Sequence, residues 1–156
     1  EDMKKKIKMI ISIILVIVIA IFFILQYSIY IKNVKNIKSI EIKLNYGYLS
    51  PTYTYKFNFF NNSIMHKTED YDKNEIFYTE FTNKDAEYFI KKANLYGFFN
   101  WKESYMNNGV HDGKWVEISI IFKDNSIKET YCYADFPLTY DLMADVFYEA
   151  FGYHIL

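Results

Sequence analysis

Two alternating stretches decide the fold, and both lie in residues 39–59, which read SIEIKLNYGYLSPTYTYKFNF. From position 39 to position 48 apolar residues alternate with polar ones, and from 53 to 59 aromatic residues alternate with Thr, Lys and Asn. A period of two is typical of a β-strand with one buried face. Gly47 and Pro51 end the first stretch, so the pattern predicts two strands joined by a turn.

Two further strands are predicted after this pair. Residues 61–62, both Asn, favour a tight turn because Asn tolerates left-handed backbone better than most residues. Residues 63–68 then return as a third strand. A two-residue turn pairs Phe57 with His66 and places this histidine on the aromatic face, where we expect a core residue rather than a catalytic one. Residues 75–81 are predicted as a fourth strand.

A helix is predicted next. Residues 82–85, Thr-Asn-Lys-Asp, have the form of a capping box in which Asp replaces the usual Glu. Apolar residues follow at the spacing of one helix face, and they are Ala86, Phe89, Ile90 and Ala93. Gly97 is expected to end this helix.

A second hairpin follows the helix. Residues 114–122 alternate again, a turn is predicted at Asp124-Asn125, and residues 127–134 return. The register of a two-residue turn pairs Glu117 with Cys132. This places a carboxylate beside the thiol, which would disfavour a reactive thiolate.

The last predicted helix begins near Pro137 and Thr139 and ends at Gly152, a candidate C-cap. Its predicted apolar face consists of Leu142, Met143, Val146, Phe147 and Ala150. The order after the N-terminal segment is thus β-β-β-β-α-β-β-α. This order predicts an α+β fold with a mainly antiparallel sheet of about six strands and two helices.

The N-terminal segment carries the strongest signal for location. Residues 9–31 are apolar apart from two Ser, one Gln and two Tyr, at positions 27 and 30. They would form about 34 Å of helix, enough to cross a hydrocarbon core of about 30 Å. Lysines at positions 4, 5, 6 and 8 precede the segment, and both tyrosines lie at one end, where an interfacial belt is expected.

An uncleaved signal anchor fits this segment better than a cleaved signal peptide, because the apolar core is too long and no small-x-small cleavage site follows. We therefore expect four regions: a basic cytoplasmic tail at 1–8, a transmembrane signal anchor at 9–31, a short linker at 32–38 and an extracytoplasmic domain at 39–156. Both flanks contain lysines, but a compact basic tail is hard to translocate, so we expect the N-terminus inside and the domain outside the cell membrane.

Composition excludes several functions. The 156 residues include 18 basic residues, all Lys, and 19 acidic ones, for a net charge of −1. This balance gives no basic surface for nucleic acid, and without Arg no bidentate guanidinium clamp can form. One Cys excludes an intramolecular disulfide and a Cys-based zinc cluster. The expected partners are the lipid bilayer, through residues 9–31, and a protein or cell-surface ligand.

No catalytic or metal-binding motif is complete. Residues 70–74, DYDKN, match the start of a calcium loop, but Glu75 stands where such a loop needs Gly, so a polar hairpin turn is predicted instead. The three His residues show no metal-ligand spacing. Cys132 is predicted to be a small strand hydrophobe. We therefore expect no cofactor, no metal and no enzymatic activity.

The candidate binding residues are Trp101, Tyr105, His111 and Asp112. Exposed aromatic residues beside a polar loop commonly make contact sites, and residues 106–113 form such a loop. The alternative is that Trp101 and Tyr105 fill the end of the core. A His beside an Asp is also a candidate acid–base pair, but adjacent side chains usually point apart and no nucleophile is placed near them.

The second half of the chain resembles a small domain of unknown function that recurs in exported and membrane-anchored bacterial proteins. Residues 101–105 read WKESY, residues 112–115 read DGKW, and the predicted hairpin and Phe136-Pro137 follow. The domain's pattern is W-x-x-x-Y, D-G-x-x-W, an amphipathic hairpin, an aromatic-Pro step and a final helix. The resemblance covers residues 85–151, with one residue fewer between Asp-Gly and Trp. It implies the fold and no activity.

Three functional hypotheses follow from these observations. The favoured one is a non-catalytic binding or sensing module, held at the cell surface by one helix. The alternative is an accessory subunit of a membrane complex that contacts its partners through the anchor helix, although no GxxxG motif marks a packing face. An enzyme is the least favoured.

Overall fold

The computed structural model describes the backbone of residues 2–71 and 73–156. Outside this description lie Glu1, Asp72 and the side chains of residues 2–6, 26–27 and 29–35. These side chains include three of the lysines expected in the tail, at positions 4–6. They also include Tyr27 and Tyr30, which were expected at the membrane interface.

Three helices and seven strands make up the described chain. The helices are α1 (Asp2–Asn36), α2 (Asn83–Leu95) and α3 (Tyr140–Phe151), with a short 3-10 helix at Phe98–Asn100. The strands are β1 (Ile37–Asn45), β2 (Thr52–Asn58), β3 (Ser63–Glu69), β4 (Asn74–Glu80), β5 (Ser104–Met106), β6 (Trp115–Phe122) and β7 (Ile127–Tyr133).

All seven strands belong to one sheet, in the order β4-β3-β2-β1-β6-β7-β5. Neighbours are antiparallel except β5 and β7, which run parallel. The predicted α+β class is confirmed. The predicted number of strands is wrong, because β5 adds a seventh at one edge. With three residues, β5 is too short to show a periodic pattern in the sequence.

No separate segment joins α1 to the sheet. The helix continues through Asn36, and β1 begins at Ile37, whose side chain is buried. The expected linker at 32–38 is therefore partly helix and partly strand, since no Pro or Gly there interrupts the helix. The Asn36 carbonyl also accepts a hydrogen bond of 2.7 Å from the Lys123 N–H, which ties the end of α1 to the sheet.

The β2–β3 register differs from the prediction by two residues. Phe57 pairs with Ile64 and Tyr55 pairs with His66, because the loop contains four residues instead of two. An even shift leaves every side chain on its predicted face. His66 therefore still lies on the aromatic face, stacked on Tyr55 with 4.4 Å between ring centroids. Burial lowers the pKa of His66, which favours the neutral ring.

The β6–β7 register differs by one residue, which changes which side chains are neighbours. Cys132 pairs with Val116 rather than Glu117. The Asn125 N–H donates to the Phe122 carbonyl at 2.9 Å, and Asn125 has a left-handed φ of 64°. This geometry adds one residue to the predicted two-residue turn. The predicted Glu117–Cys132 pair is therefore wrong, and the two side chains lie on opposite faces.

The two predicted helices are confirmed in position. Both hydrogen bonds of the capping box between Thr82 and Asp85 are present at the start of α2, and such caps contribute about 1 kcal/mol. α3 ends at Phe151, and the predicted C-cap, Gly152, has a left-handed φ of 75°. Leu142 is 45% exposed, so its predicted place on the buried face is wrong, and Tyr140 is buried there instead.

The core lies between one face of the sheet and helices α2 and α3. Phenylalanine rings fill its centre, and the fully buried ones are Phe57, Phe89, Phe98 and Phe147. The other face of the sheet, called the open face below, is polar. There Glu41 lies 3.5 Å from both Lys43 and Lys56. An antiparallel sheet commonly keeps one face wet in this way.

Candidate functional site

A depression of about 500 Å³ lies on the open face, where β1 ends and β6 begins. We call it the loop groove, and its lining residues are Asn45, Gly47, Tyr48, Thr52, His111, Asp112, Gly113, Trp115 and Tyr133. The strand register explains part of this set. Asn45, Trp115 and Tyr133 are direct cross-strand neighbours on β1, β6 and β7, so their side chains share one face.

Asp112 joins the two loops that border the groove. One of its carboxylate oxygens, Oδ1, accepts a hydrogen bond of 2.6 Å from the Tyr48 N–H. The same oxygen lies 3.1 Å from the position that a Cβ would occupy on Gly47, whose φ is 142°. A side chain at position 47 would thus crowd this contact and strain the backbone. The carboxylate holds the β1–β2 loop against the loop that contains His111.

Gly113 allows the loop to pass close to β7. A Cβ at this position would lie 2.7 Å from the Cβ of Ala134 and 3.1 Å from Val110 Cγ1. The Asn107 N–H donates to the Tyr133 carbonyl at 2.9 Å, which fixes the other end of the loop. The loop is therefore held at both ends, and the groove has a defined wall.

The groove combines aromatic surface with polar atoms. Tyr48 is 82% exposed, whereas Trp115 and Tyr133 are half-buried in the floor. His111 is exposed at the rim, and the described hydrogen bond of its neighbour Asp112 goes to Tyr48 rather than to the imidazole. The pair therefore does not have the geometry of an oriented acid–base dyad. Aromatic rings beside a few polar groups are typical of a site that binds.

Trp101 lies outside the loop groove. Its ring is 5% exposed and packs against Phe98 with 4.9 Å between centroids. Its indole Nε1 donates to Thr139 Oγ1 at 3.1 Å, and that hydroxyl donates to the Tyr96 carbonyl at 2.8 Å. Trp101 thus joins the end of α2 to the start of α3.

Tyr105 also lies apart from His111 and Asp112. It belongs to β5 and is half-buried beside Cys132 on the helix side of the sheet. Its hydroxyl accepts a hydrogen bond of 3.0 Å from the Lys102 N–H. Of the four candidate residues, the structure brings together His111 and Asp112, and it places the two aromatic residues against the core.

Sequence reasoning missed the aromatic residues that do line the groove. Trp115 appeared only as part of the D-G-x-W pattern, and Tyr48 and Tyr133 only as strand residues. The usable signal was the alternation of side chains along β6. Trp115 alternates with the buried residues of this strand and therefore faces the open side. The contact between Tyr48 and Asp112 spans 64 residues, and no local pattern predicts it.

Lys114 follows the groove residue Gly113 but lies on the helix side of the sheet. Its Nζ lies 4.9 Å from the ring centroid of Tyr46, 5.0 Å from that of Tyr140 and 5.8 Å from that of Phe136. Burial lowers the pKa of Lys114, although the Asp141 carboxylate acts against the shift. The rings offset part of the lost hydration through cation–π attraction. Lys114 thus closes the rim of the core rather than lining the groove.

A second depression, of about 690 Å³, runs along β7. Its charged lining residues are Glu103, Glu117, Lys128 and Glu129. Within residues 2–71 and 73–156, no three His, Cys, Asp or Glu side chains are grouped so that they could hold a metal ion. We assign this acidic depression no function.

Cys132 should react slowly with iodoacetamide in the folded protein. Its side chain is fully buried, and burial raises the pKa of the thiol to about 11. The thiolate fraction, and with it the labelling rate, should rise only as the pH approaches that value. Labelling at pH 7 and 9, with and without denaturant, measures this. Rapid labelling at neutral pH that His111→Ala abolishes would contradict it and indicate a catalytic thiol.

One N-terminal helix is long and apolar enough to span a membrane. Its most apolar window, Ile7–Leu25, has a mean hydropathy of 3.2, and none of it is buried in the protein. No protein-family model matches the chain, and no curated protein matches its sequence. The resemblance of residues 85–151 to the small exported domain therefore stays a prediction.

Proposed function

We propose that the chain is a single-pass membrane protein whose domain stands outside the cytoplasm and binds a protein or cell-surface ligand in the loop groove. The domain acts as a binding or sensing module and carries no catalytic activity. The observation that carries this proposal is the groove itself, in which the exposed Tyr48 and the half-buried Trp115 and Tyr133 lie beside polar side chains, with its loops held by the Asp112–Tyr48 contact.

The role of α1 as a membrane anchor is supported by a difference in burial between the domain and the N-terminal helix. The domain buries its large apolar residues against α2 and α3, whereas the apolar side chains of Ile7–Leu25 are exposed around the whole helix. A bilayer would cover this surface, because a helix that is apolar on all sides is stable in lipid. The basic residues before the helix favour a cytoplasmic N-terminus.

The groove and the end of α1 lie on opposite faces of the sheet. The end of α1 nearest the domain lies beside α2, which packs on the helix side of the sheet. The groove opens on the opposite face. A ligand therefore reaches the groove from the side of the sheet that α1 does not occupy.

A binding role is favoured over catalysis by the chemistry of the groove. Its titratable side chains include His111 and Asp112, and the carboxylate is already engaged by the Tyr48 N–H. The one thiol of the chain, on Cys132, is buried on the other face of the sheet. The groove therefore offers contact surface but no placed nucleophile with a base beside it.

Tyr48→Ala should reduce ligand capture by at least about tenfold, the effect of removing an exposed aromatic contact residue from a binding site. Tyr71→Ala is the matched control, because Tyr71 is 83% exposed, against 82% for Tyr48, and lies at the β3–β4 turn. The full chain and both variants are used to pull down partners from solubilised membranes, with quantification by mass spectrometry. A partner retained equally by both variants would contradict binding in the groove.

The second candidate function is an accessory subunit that contacts its complex through α1. The apolar surface of Ile7–Leu25 is exposed on all sides of the helix, and partner helices could cover it just as lipid could. Exchanging residues 1–32 for an unrelated anchor separates the two functions. A surface module keeps its captured partner after the exchange, whereas a helix-dependent subunit loses it.

A further inference from the structure

Strand β4 forms an unprotected edge of the sheet. All seven of its residues are exposed, including Ile76 at 49%, Phe77 at 53% and Tyr78 at 72%. Natural edge strands usually carry Lys or Pro, or are very short. β4 has neither residue, and its two charged side chains, Glu75 and Glu80, leave the central residues 76–78 uncharged. Its length also contrasts with the opposite edge, where β5 has three residues.

The backbone of β4 presents a regular row of polar groups to this edge. The Phe81 N–H donates to the Asn62 carbonyl at 2.9 Å, and the Asp70 N–H donates to the Lys73 carbonyl at 3.0 Å. Hydrogen-bonded pairs alternate along an antiparallel ladder, so residues 75, 77 and 79 direct their N–H and C=O groups toward β3. Residues 74, 76, 78 and 80 direct theirs outward.

We propose that β4 pairs with β4 of a second copy of the chain, antiparallel and centred on Phe77, so that two sheets join into one. In this register Ile76 lies opposite Tyr78 of the second copy, and Asn74 lies opposite its Glu80. These are the residues whose backbone groups point outward, and the four pairs would form about eight hydrogen bonds. Phe77 lies opposite its own copy in the central non-hydrogen-bonded pair.

The side chains are self-complementary in this register. Glu75 lies opposite Thr79 and Glu80 lies opposite Asn74, so no carboxylate faces another directly. Like charges in direct opposition would destabilise the pair. The apolar residues at positions 76 and 78 meet on the open face, and the two Phe77 rings meet on the helix side. Shifting the centre to Tyr78 would instead place Ile76 opposite Glu80.

Confinement in a bilayer would allow a small contact of this kind to hold two copies together. This argument rests on the proposed membrane anchoring. Seven residues on each copy form a small interface, but two anchored copies meet at a raised effective concentration. The two-fold axis of such a pair is perpendicular to the sheet. Within one bilayer this axis runs along the membrane normal, because both anchors keep the same orientation.

The test is disulfide formation across the central pair in the full chain, in membranes treated with a mild oxidant. Phe77→Cys should form a covalent dimer, because Cα atoms of a non-hydrogen-bonded pair lie about 4.5 Å apart, within disulfide range. Tyr71→Cys is the control, because Tyr71 lies in the turn beyond the end of β4. Two copies of Lys73, four residues from Phe77, would already lie about 27 Å apart at 3.4 Å per residue. We expect dimer formation on the order of tenfold faster for Phe77→Cys than for Tyr71→Cys.

A second reporter leaves the apolar centre intact. The double variant Glu75→Cys/Thr79→Cys places its two thiols opposite each other between copies but too far apart within one strand, so it should also form dimers. Adding Tyr78→Pro removes an outward N–H without touching the β3 ladder and should reduce dimer formation to the Tyr71→Cys level. Equal rates for the two reporters and the control, or dimer formation that Tyr78→Pro leaves unchanged, would overturn the proposal. Both results are independent of ligand capture by Tyr48.

Discussion

Phe89→Ala should lower the free energy of unfolding by about 3–5 kcal/mol, the cost of removing a buried aromatic side chain. Phe89 is fully buried on α2, and its ring lies 4.7 Å from that of Phe147 and 5.1 Å from that of Phe151, measured between centroids. These contacts join α2 to α3 over the sheet. Because small domains are stable by about 5–15 kcal/mol, this loss would leave the domain marginal.

Thermal unfolding of the full chain in detergent, followed by near-ultraviolet circular dichroism, measures this loss. Leu95→Ala is the control on the same helix, because Leu95 is 69% exposed, and its effect should stay below about 1 kcal/mol. If Phe89→Ala cost no more than this control, the assignment of the buried face of α2 would be wrong.

Trp101→Ala should have a similar effect, about 3–5 kcal/mol, because Trp101 is also a core residue. The substitution removes a ring that is 5% exposed and leaves the Thr139 hydroxyl without its indole donor. Trp101→Phe should cost less, because it retains most of the apolar contact and loses about 1 kcal/mol for the hydrogen bond.

Tyr105→Phe serves as the comparison for Trp101. It removes only the hydroxyl that accepts the exposed Lys102 N–H, where water can replace it, so its effect should stay below about 1 kcal/mol. The unfolding measurement is paired with the ligand-capture assay. A Trp101→Ala protein with undiminished stability and lost capture would place Trp101 in the binding site instead of the core.

The sequence predicts those parts of the fold that depend on local pattern. The period-two alternation of β1 and β2 and the capping box of α2 each reflect contacts within a few residues, so both are visible without a structure. Strand register is different, because it depends on turn conformation. Asn125 adopts a left-handed φ, and this one residue changes the partner of Cys132 from Glu117 to Val116.

The candidate site was only partly predictable for a similar reason. Polar residues concentrated in one loop indicated His111 and Asp112, and both line the groove. Loop position alone did not distinguish the two tryptophans, because Trp101 and Trp115 both border polar loops, and only the alternation of β6 indicated that Trp115 faces away from the core. Their different roles depend on packing, since α3 covers Trp101 whereas Trp115 lies on the uncovered face of the sheet.

Cysteine accessibility in cells tests directly whether α1 holds the domain outside the cytoplasm. Leu138→Cys provides a fully exposed thiol in the domain, Lys5→Cys provides one in the tail, and the buried Cys132 stays silent as background. With a membrane-impermeant maleimide on spheroplasts, we expect labelling of Leu138→Cys before lysis and of Lys5→Cys only after lysis. The reverse pattern, or protection of both positions until lysis, would contradict this topology.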